Sequence, residues 1–432
     1  MGHNTFRRRD VLKGALAVTG FPAIVPATAF GANDRIVMAN VGVGEMGSGH
    51  CRVLLQQPDV RLAAVCDVRR QHRDRAKQWV DEYYGDQSCA TYNDFRELLA
   101  RPDIDAVLIA VPDHWHALIG IEAARRGKDM YYEKPMGLTF ADAKAMRAAV
   151  HRYGVVFQFG TQQRSDQRYR LACELVRNGR IGELQTIAIA SAGMAPVPPQ
   201  PEEPVPEGLD YDLWLGQAPW APYTHLRCTR NWTLIYDYSL GCISGAYGIH
   251  DVDCAQWAND ADHTGPVWAE GTAVIPSTGL YNTPEKYAIE YRYANGVKLE
   301  LLDLMTARVR YEQFRFGSMG MMFLGSKGWV YVSREGMRTQ PESLMHVVIG
   351  PNENKVVLSK EHHRNFLDAV RTRRQPVSNI EAAVRSETVC QQGDIAIRLG
   401  RKVNWDPVRE VFLDDEQANR MLARPMRSPW RL

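Results

Sequence analysis

Arg35-Ile36-Val37-Met38-Ala39-Asn40-Val41 runs directly into Gly42-Val43-Gly44-Glu45-Met46-Gly47, and this junction decides the fold. The first stretch has the length and apolar content of a buried strand, and a helix can run from Met46 through Leu55. Arg61–Cys66 reads as a second strand, and Asp67 closes it 20 residues after Gly47. Strand, G-x-G-x-x-G, helix, strand and acidic residue form the sequence context of a dinucleotide site. Gly42 permits the tight turn, Gly44 lets the backbone approach a pyrophosphate, and Gly47 allows close packing of helix on strand. The helix N-terminus adds partial positive charge, which makes Glu45 and Met46 cofactor-binding candidates with the glycines. Asp67 is placed to accept ribose hydroxyls and to repel a 2′-phosphate, which favours NAD. Arg69 and Arg70 keep NADP open, since a guanidinium can hold that phosphate or stack on adenine; equally, both can be solvated charges at a helix start.

Working outward, the alternation continues. Asp105–Val111 is an apolar strand that ends in Pro112-Asp113-His114-Trp115-His116, followed by a helix over Ala117–Arg126. Asp129–Tyr132 is a short strand running into Glu133-Lys134-Pro135, then come a helix over Ala141–Tyr153 and a strand over Val155–Phe159. Repeated β-α-β units predict a doubly wound parallel sheet that binds its ligand at the C-terminal strand ends. Pro112, His116 and Glu133 sit at such ends and are cofactor-binding candidates. Beyond a proline-rich loop, Pro196–Pro206, the pattern changes. Tyr287–Tyr293 and Val297–Leu301 flank Asn295-Gly296, a two-residue hairpin signal, and Met321–Leu324 and Trp329–Val332 flank Gly325–Gly328. The expected architecture is α/β: an N-terminal Rossmann domain at 32–160 and an α+β domain at 161–432. The second domain should carry a mostly antiparallel sheet, late helices over Glu361–Arg371 and Asn379–Arg398, and an extended arm over Met421–Leu432 that packs on the body or reaches a neighbour.

The chain has 432 residues, 45% of them hydrophobic and 24% charged, as ordinary globular proteins have. Residues 1–31 read as an address. Arg8-Arg9-Asp10-Val11-Leu12-Lys13 is a twin-arginine consensus, a weakly apolar stretch follows, and Ala27-Thr28-Ala29 is a cleavage signal. The mature protein is therefore expected in the periplasm or otherwise exported. Without Arg7, Arg8, Arg9, Lys13 and Asp10 it carries 48 basic against 49 acidic residues, which gives no electrostatic footprint for nucleic acid. No long apolar stretch beyond the N-terminus predicts a membrane span. The eight cysteines have no metal-ligand spacing and read as small buried hydrophobes; no metal is expected.

These pieces resemble the glucose–fructose oxidoreductase/inositol dehydrogenase family (Gfo/Idh/MocA). The matching residues are Gly42–Gly47, Asp67, Pro112–His116, Glu133-Lys134-Pro135 and Gly248–Asp253. Tyr211–Gly216, His362–Phe366 and Arg424-Pro425 are similar, more narrowly, to its Tat-exported branch. Hydride transfer from a secondary alcohol needs a group that takes the hydroxyl proton and fixes the carbinol carbon. The resemblance implies that Lys134 does this and that His250 assists or contacts the substrate hydroxyl. Members of the family carry an aspartate four residues before this histidine; here the position is Ala246. A third catalytic member must then come from elsewhere or be absent, with Tyr236, Asp237, Tyr238 and Tyr247 as nearby candidates. Trp232, His225, Arg230 and Asn231 are candidates for a sugar pocket, and Arg164 for a substrate or cofactor contact at the crossover between domains.

Three functions fit. One is an NAD(P)-dependent oxidoreductase acting on a secondary hydroxyl of a sugar, glycoside or cyclitol. Another is a redox-neutral glycosidase or epimerase that oxidises transiently and retains NAD, and the third is a non-catalytic sugar-binding homologue. Export favours a tightly bound cofactor, because free NAD is scarce outside the cytoplasm. The resemblance also implies a homodimer or homotetramer, paired through the open face of the second sheet.

Overall fold

The computed structural model describes residues 35–432; the twin-arginine segment expected at 1–31 lies outside the described residues. Six strands form a wholly parallel sheet: β1 (Ile36–Val41), β2 (Val60–Cys66), β3 (Ala90–Tyr92), β4 (Ala106–Ile109), β5 (Asp129–Tyr132) and β6 (Phe157–Phe159). Their order is β3-β2-β1-β4-β5-β6. β4 and β5 are buried along their whole length, as parallel strands covered by helices on both faces must be. The order reverses between β1 and β4, and a crevice opens at their C-terminal ends. Capping by sequence delimits the crossover helix Phe140–Tyr153. Thr139 and Asp142 form a reciprocal capping box at its start, and Gly154, at φ +62°, ends it.

Nine strands make the second sheet: β7 (Leu184–Ser191), β8 (Trp268–Val274), β9 (Lys286–Arg292), β10 (Lys298–Asp303), β11 (Gly320–Gly325), β12 (Trp329–Ser333), β13 (Met337–Gln340), β14 (Val403–Asp406) and β15 (Val411–Phe412). The order is β13-β12-β11-β7-β10-β9-β8-β14-β15. Every pairing is antiparallel except β7 with β10. The β9–β10 hairpin closes on Gly296 at φ +87°, as its Asn-Gly sequence predicts.

Ile36–Leu432 is one compact unit, and helix Ile380–Leu399 shows why. It is buried on nearly all sides, polar residues such as Glu387 and Gln391 included, and packs on β8, on helix Gly248–Ala258 and on helix Phe140–Tyr153, so both sheets share one core. The C-terminal arm lies on the body. Trp430 packs edge-on against Trp115, with ring centroids 4.7 Å apart, and Arg427 Nη1 donates to Asp212 at 2.6 Å. Among the described residues no helix is long and apolar enough to cross a membrane. All eight cysteines are free and seven are buried.

Candidate active site

The glycine loop is built as its spacing requires. Gly42 has φ +83°, and a Cβ there would overlap the Ala110 carbonyl; a Cβ on Gly47 would overlap the Gly42 carbonyl. Gly44 differs, because a Cβ on it would meet nothing closer than the His72 ring at 3.9 Å. That open space is a cradle a side chain would fill. Asp67 pins the loop from β2: Oδ2 accepts from Val43 N at 2.9 Å and Oδ1 from Arg69 N at 2.8 Å. Helix Glu45–Leu55 begins at Gly44 with no side-chain cap, so its first N–H groups and its dipole remain available to an anion. An uncapped helix N-terminus, an open glycine and a carboxylate one strand away fit a dinucleotide.

These groups border a cavity of about 970 Å³, at the upper end of small-molecule sites. Gly42, Gly44, Glu45, Met46, Asp67 and Arg69 line one end, and Pro112, Glu133, Lys134 and His250 line the other. Trp232, His225 and Arg230 close it from the segment His225–Leu234. Arg230 Nη1 reaches Glu45 Oε1 at 2.8 Å, bridging that segment to the first turn of the glycine-loop helix. Arg70 does not line the cavity and pairs with Glu207 at the surface.

Four expected contacts are corrected. Gly47 lies behind the loop, where its lack of a side chain serves packing. His116 is buried under the Glu133–Pro135 turn with Nδ1 2.6 Å from the Pro135 carbonyl, so it positions the neighbourhood of Lys134 and does not line the cavity. Arg164 is buried away from the cavity, because two carboxylates compensate its charge. Nε and Nη2 bond Asp253 at 2.6 and 2.8 Å, and Nη1 and Nη2 bond Asp262 at 2.9 and 2.8 Å. Tyr238 is fully buried against His114 and Trp214, with Arg227 donating to its hydroxyl at 3.0 Å. Of the other candidates for a third catalytic member, Tyr236 is drawn off towards Asp394, Arg398 and Arg424, whereas Tyr247 lines the cavity.

Lys134 and His250 do come together. Lys134 follows β5 through a cis peptide to Pro135, and its Nζ donates to the Gly245 carbonyl at 2.6 Å. His250 is 4% exposed in the first turn of helix Gly248–Ala258. Burial, then the charges of Lys134 and Arg334, hold its imidazole well below the usual range, so it is neutral at pH 7. Its Nδ1 has no partner among the described residues. Ala246 stands on the cavity wall as the sequence comparison expected, but a carboxyl reaches the wall from another element. Asp113, in the turn after β4, is 1% exposed, and its Oδ2 has no partner among the described residues. Burial raises its carboxyl to about 7, against the pull of the Lys134 charge. The motif Pro112–His116 contained this residue, but nothing in the spacing favours Asp113 over His116. Only the direction of each side chain in the turn separates them.

The arrangement can hold a dinucleotide at one end and move a proton among an amine, a neutral imidazole and a carboxyl at the other. Residues 36–161 match the model of an oxidoreductase family's NAD-binding Rossmann fold, and residues 194–432 match that family's C-terminal alpha/beta domain. The chain is 27% identical over 280 residues to the uncharacterized oxidoreductase YrbE of Bacillus subtilis, covering 65% of this chain and 70% of that one. It is 30% identical over 183 residues to myo-inositol 2-dehydrogenase of Thermotoga maritima, covering 42% of this chain and 53% of the relative, about half its length. The crystal structure of aldose-aldose oxidoreductase from Caulobacter crescentus superposes with a TM-score of 0.62 at 20% identity, covering 86% of this chain and 99% of that one. At that identity the likeness is one of fold.

Proposed function

Because the chain belongs to the Gfo/Idh/MocA family of NAD(P)-dependent oxidoreductases, we propose that it oxidises a secondary hydroxyl of a sugar, glycoside or cyclitol by hydride transfer. The observation that carries this reading is the placement of Lys134, Asp113 and His250 on the wall of the cavity that begins at the glycine loop. Gly44 and the uncapped helix N-terminus would hold the pyrophosphate of NAD, and Asp67 the ribose hydroxyls. Arg69 beside it keeps NADP open. When bound, the dinucleotide supplies the hydride acceptor. Lys134 Nζ, fixed on the Gly245 carbonyl, is the group placed to exchange the hydroxyl proton. Neutral His250 hydrogen-bonds the same oxygen, and Asp113 supplies the carboxyl that Ala246 lacks. The Trp232 indole offers an apolar face to a sugar ring. The T. maritima relative, named as acting on an inositol, supports a polyol substrate.

A second reading, redox-neutral turnover on a retained cofactor, is supported by the Arg230–Glu45 pair, which joins the segment His225–Leu234 to the glycine-loop helix. An exported enzyme gains from such retention. At a typical association rate of about 10⁶ M⁻¹s⁻¹, release over an hour needs a sub-nanomolar Kd, or more than about 12 kcal/mol of binding free energy. Periplasmic location by the twin-arginine route and assembly as a dimer or tetramer belong to the same proposal. A sugar-binding homologue without catalysis would have no use for Asp113 and Lys134 on the cavity wall.

The test is to incubate purified protein with NAD and a panel of sugars, glycosides and cyclitols, following reduced nicotinamide by absorbance alongside product analysis. Sustained reduction supports a dehydrogenase, and product without net reduction supports the redox-neutral cycle. The absence of both overturns the catalytic reading. Lys134→Ala should lower turnover by about 10²- to 10⁴-fold while NAD affinity by calorimetry is kept.

A further inference from the structure

Glu133 lines the cavity, and one of its hydrogen bonds, to His50, leads away from it. Its Oε1 lies 2.9 Å from His50 Nε2 and accepts from Gln162 Nε2 at 2.7 Å; its Oε2 accepts from Lys134 N at 3.2 Å. His50 Nδ1 lies 2.7 Å from His363 Nε2, and His363 Nδ1 lies 3.1 Å from Glu361 Oε1. The His50, Glu133 and His363 side chains are 6%, 4% and 11% exposed, whereas that of Glu361 is 44% exposed. The Tyr131 ring stacks in parallel on His363 at 4.7 Å and lies 5.2 Å from His50, whose ring is tilted by 55° to both.

Counting protons shows what this chain of contacts requires. Each of the three links, Glu133–His50, His50–His363 and His363–Glu361, needs one hydrogen. Two neutral imidazoles bring two, and two carboxylates bring none. A fully bonded chain therefore holds one proton more than its neutral rings supply. A purely structural network could be satisfied with fewer titratable groups; this one runs without a break from cavity to surface.

We propose that Glu133, His50, His363 and Glu361 form a proton relay between the active-site cavity and solvent; the proposal rests on the hydride-transfer reading given above. Oxidation of a secondary alcohol sends the C–H hydrogen with its electron pair to nicotinamide, leaves a C=O bond and sets one proton free. Glu133 takes that proton from the cavity and gives it to His50 Nε2. As it does so, His50 Nδ1–H passes to His363 Nε2 and His363 Nδ1–H passes to Glu361, which releases its proton to water. Three bonds to hydrogen break and three form, and neither ring changes charge. The rings are left as the opposite tautomers: in a redox-neutral cycle, passage of a proton inward restores them, and in net oxidation each imidazole must turn over or re-exchange its N–H before the next proton leaves.

The charged surroundings suit transit. Burial opposes ionisation of Glu133, but the His50 hydrogen bond and the Lys134 charge hold its carboxyl well below the usual range, so it passes a proton on rather than keeps it. Beside the chain, His362 is held by Ser165 and the Phe159 carbonyl, and Arg364 is paired with Asp59 and Asp368, so neither short-circuits it.

The first test needs neither substrate nor cofactor. In protein labelled with ¹⁵N-histidine, 12 residues in all, a scalar coupling across the His50 Nδ1–His363 Nε2 hydrogen bond is expected, lost in His363→Gln. Deuterium exchange of that shared proton should slow by about tenfold or more in Glu361→Gln, which keeps an acceptor for the helix N-terminus but cannot pass a proton as a carboxylate does. No coupling in the folded wild type, or unchanged exchange in Glu361→Gln, overturns the relay. The second test uses whichever sugar of the panel reduces NAD fastest. His363→Gln should lower turnover by about tenfold or more with unchanged NAD affinity, and added imidazole should restore it in His363→Ala. A loss that comes with weakened NAD binding and no rescue assigns the pair to structure and overturns the proposal. If no sugar reduces NAD and none is turned over, the hydride-transfer reading fails, while the resonance experiment still decides the relay.

Discussion

Two glycines five positions or fewer from the same turn do different work, and the difference is measurable. A methyl group on Gly44 touches only the His72 ring, at 3.9 Å, whereas one on Gly47 collides with the Gly42 carbonyl. Gly44→Ala should therefore change stability by no more than about 1 kcal/mol and weaken NAD binding by at least tenfold, or about 1.4 kcal/mol. Gly47→Ala should destabilise the fold by about 1–3 kcal/mol through overpacking. Calorimetric titration with NAD and thermal melts of both variants separate the two effects. Equal loss of affinity and stability in Gly44→Ala would mean that the open cradle is not where the dinucleotide lies.

Helix Gly248–Ala258 works on two sides at once. Its spacing suggests a single functional face carrying His250, Asp253, Cys254 and Trp257, but all of its residues are buried, so periodicity could not mark the face that meets the cavity. His250 turns to the cavity, while Asp253 receives Arg164 and Ser386 Oγ, the latter at 2.9 Å. Removing the guanidinium leaves Asp253 charged in the interior. Arg164→Ala should cost about 3–5 kcal/mol, read as a lower urea midpoint, with Kd for NAD unchanged below the transition. A variant of normal stability with impaired sugar turnover would return Arg164 to the substrate site.

For the molecule as a whole, buried groups of two kinds oppose each other in the pH dependence of stability: carboxyls raised by burial, and imidazoles held low by it. The contribution of the imidazoles, those of His114, His116, His250 and His362, is lost as pH falls through the range of a free imidazole. Burial raises Asp113, Asp251 and Glu387 each to about 7. In the unfolded chain they titrate near 3.8 or 4.5. These three groups thus bind more protons in the folded state across that window, and their contribution to stability falls as pH rises through it. Glu133 and Asp59, held low, act in the opposite sense and matter only as pH falls through the acid range. At constant ionic strength the calorimetric Tm of the wild type relative to that of Asp251→Asn should decline from pH 5 to pH 8; a difference that rises would contradict the assignment. Enzymatic turnover should show a limb near pH 7 that Asp113→Asn removes.

What could be read from the chain alone was local. The run Arg35–Asp67 carries its meaning within one β-α-β unit, because strand length, glycine dihedrals and helix start are all near neighbours in sequence. The Asn295-Gly296 hairpin is legible for the same reason, and Lys134 and His250 were found through resemblance in short motifs. Tertiary packing decided what motifs leave open. Pro112–His116 turns Asp113 to the cavity and buries His116, because a single tight turn points adjacent side chains to different surroundings. Arg164 and Tyr238 had the chemistry of ligand contacts and went to the interior, where partners distant in sequence satisfied them. His50 and His363 meet across 313 positions. No periodicity or spacing encodes such a contact; it exists because a shared core brings two helices against β5, where buried polar groups must find each other in place of water.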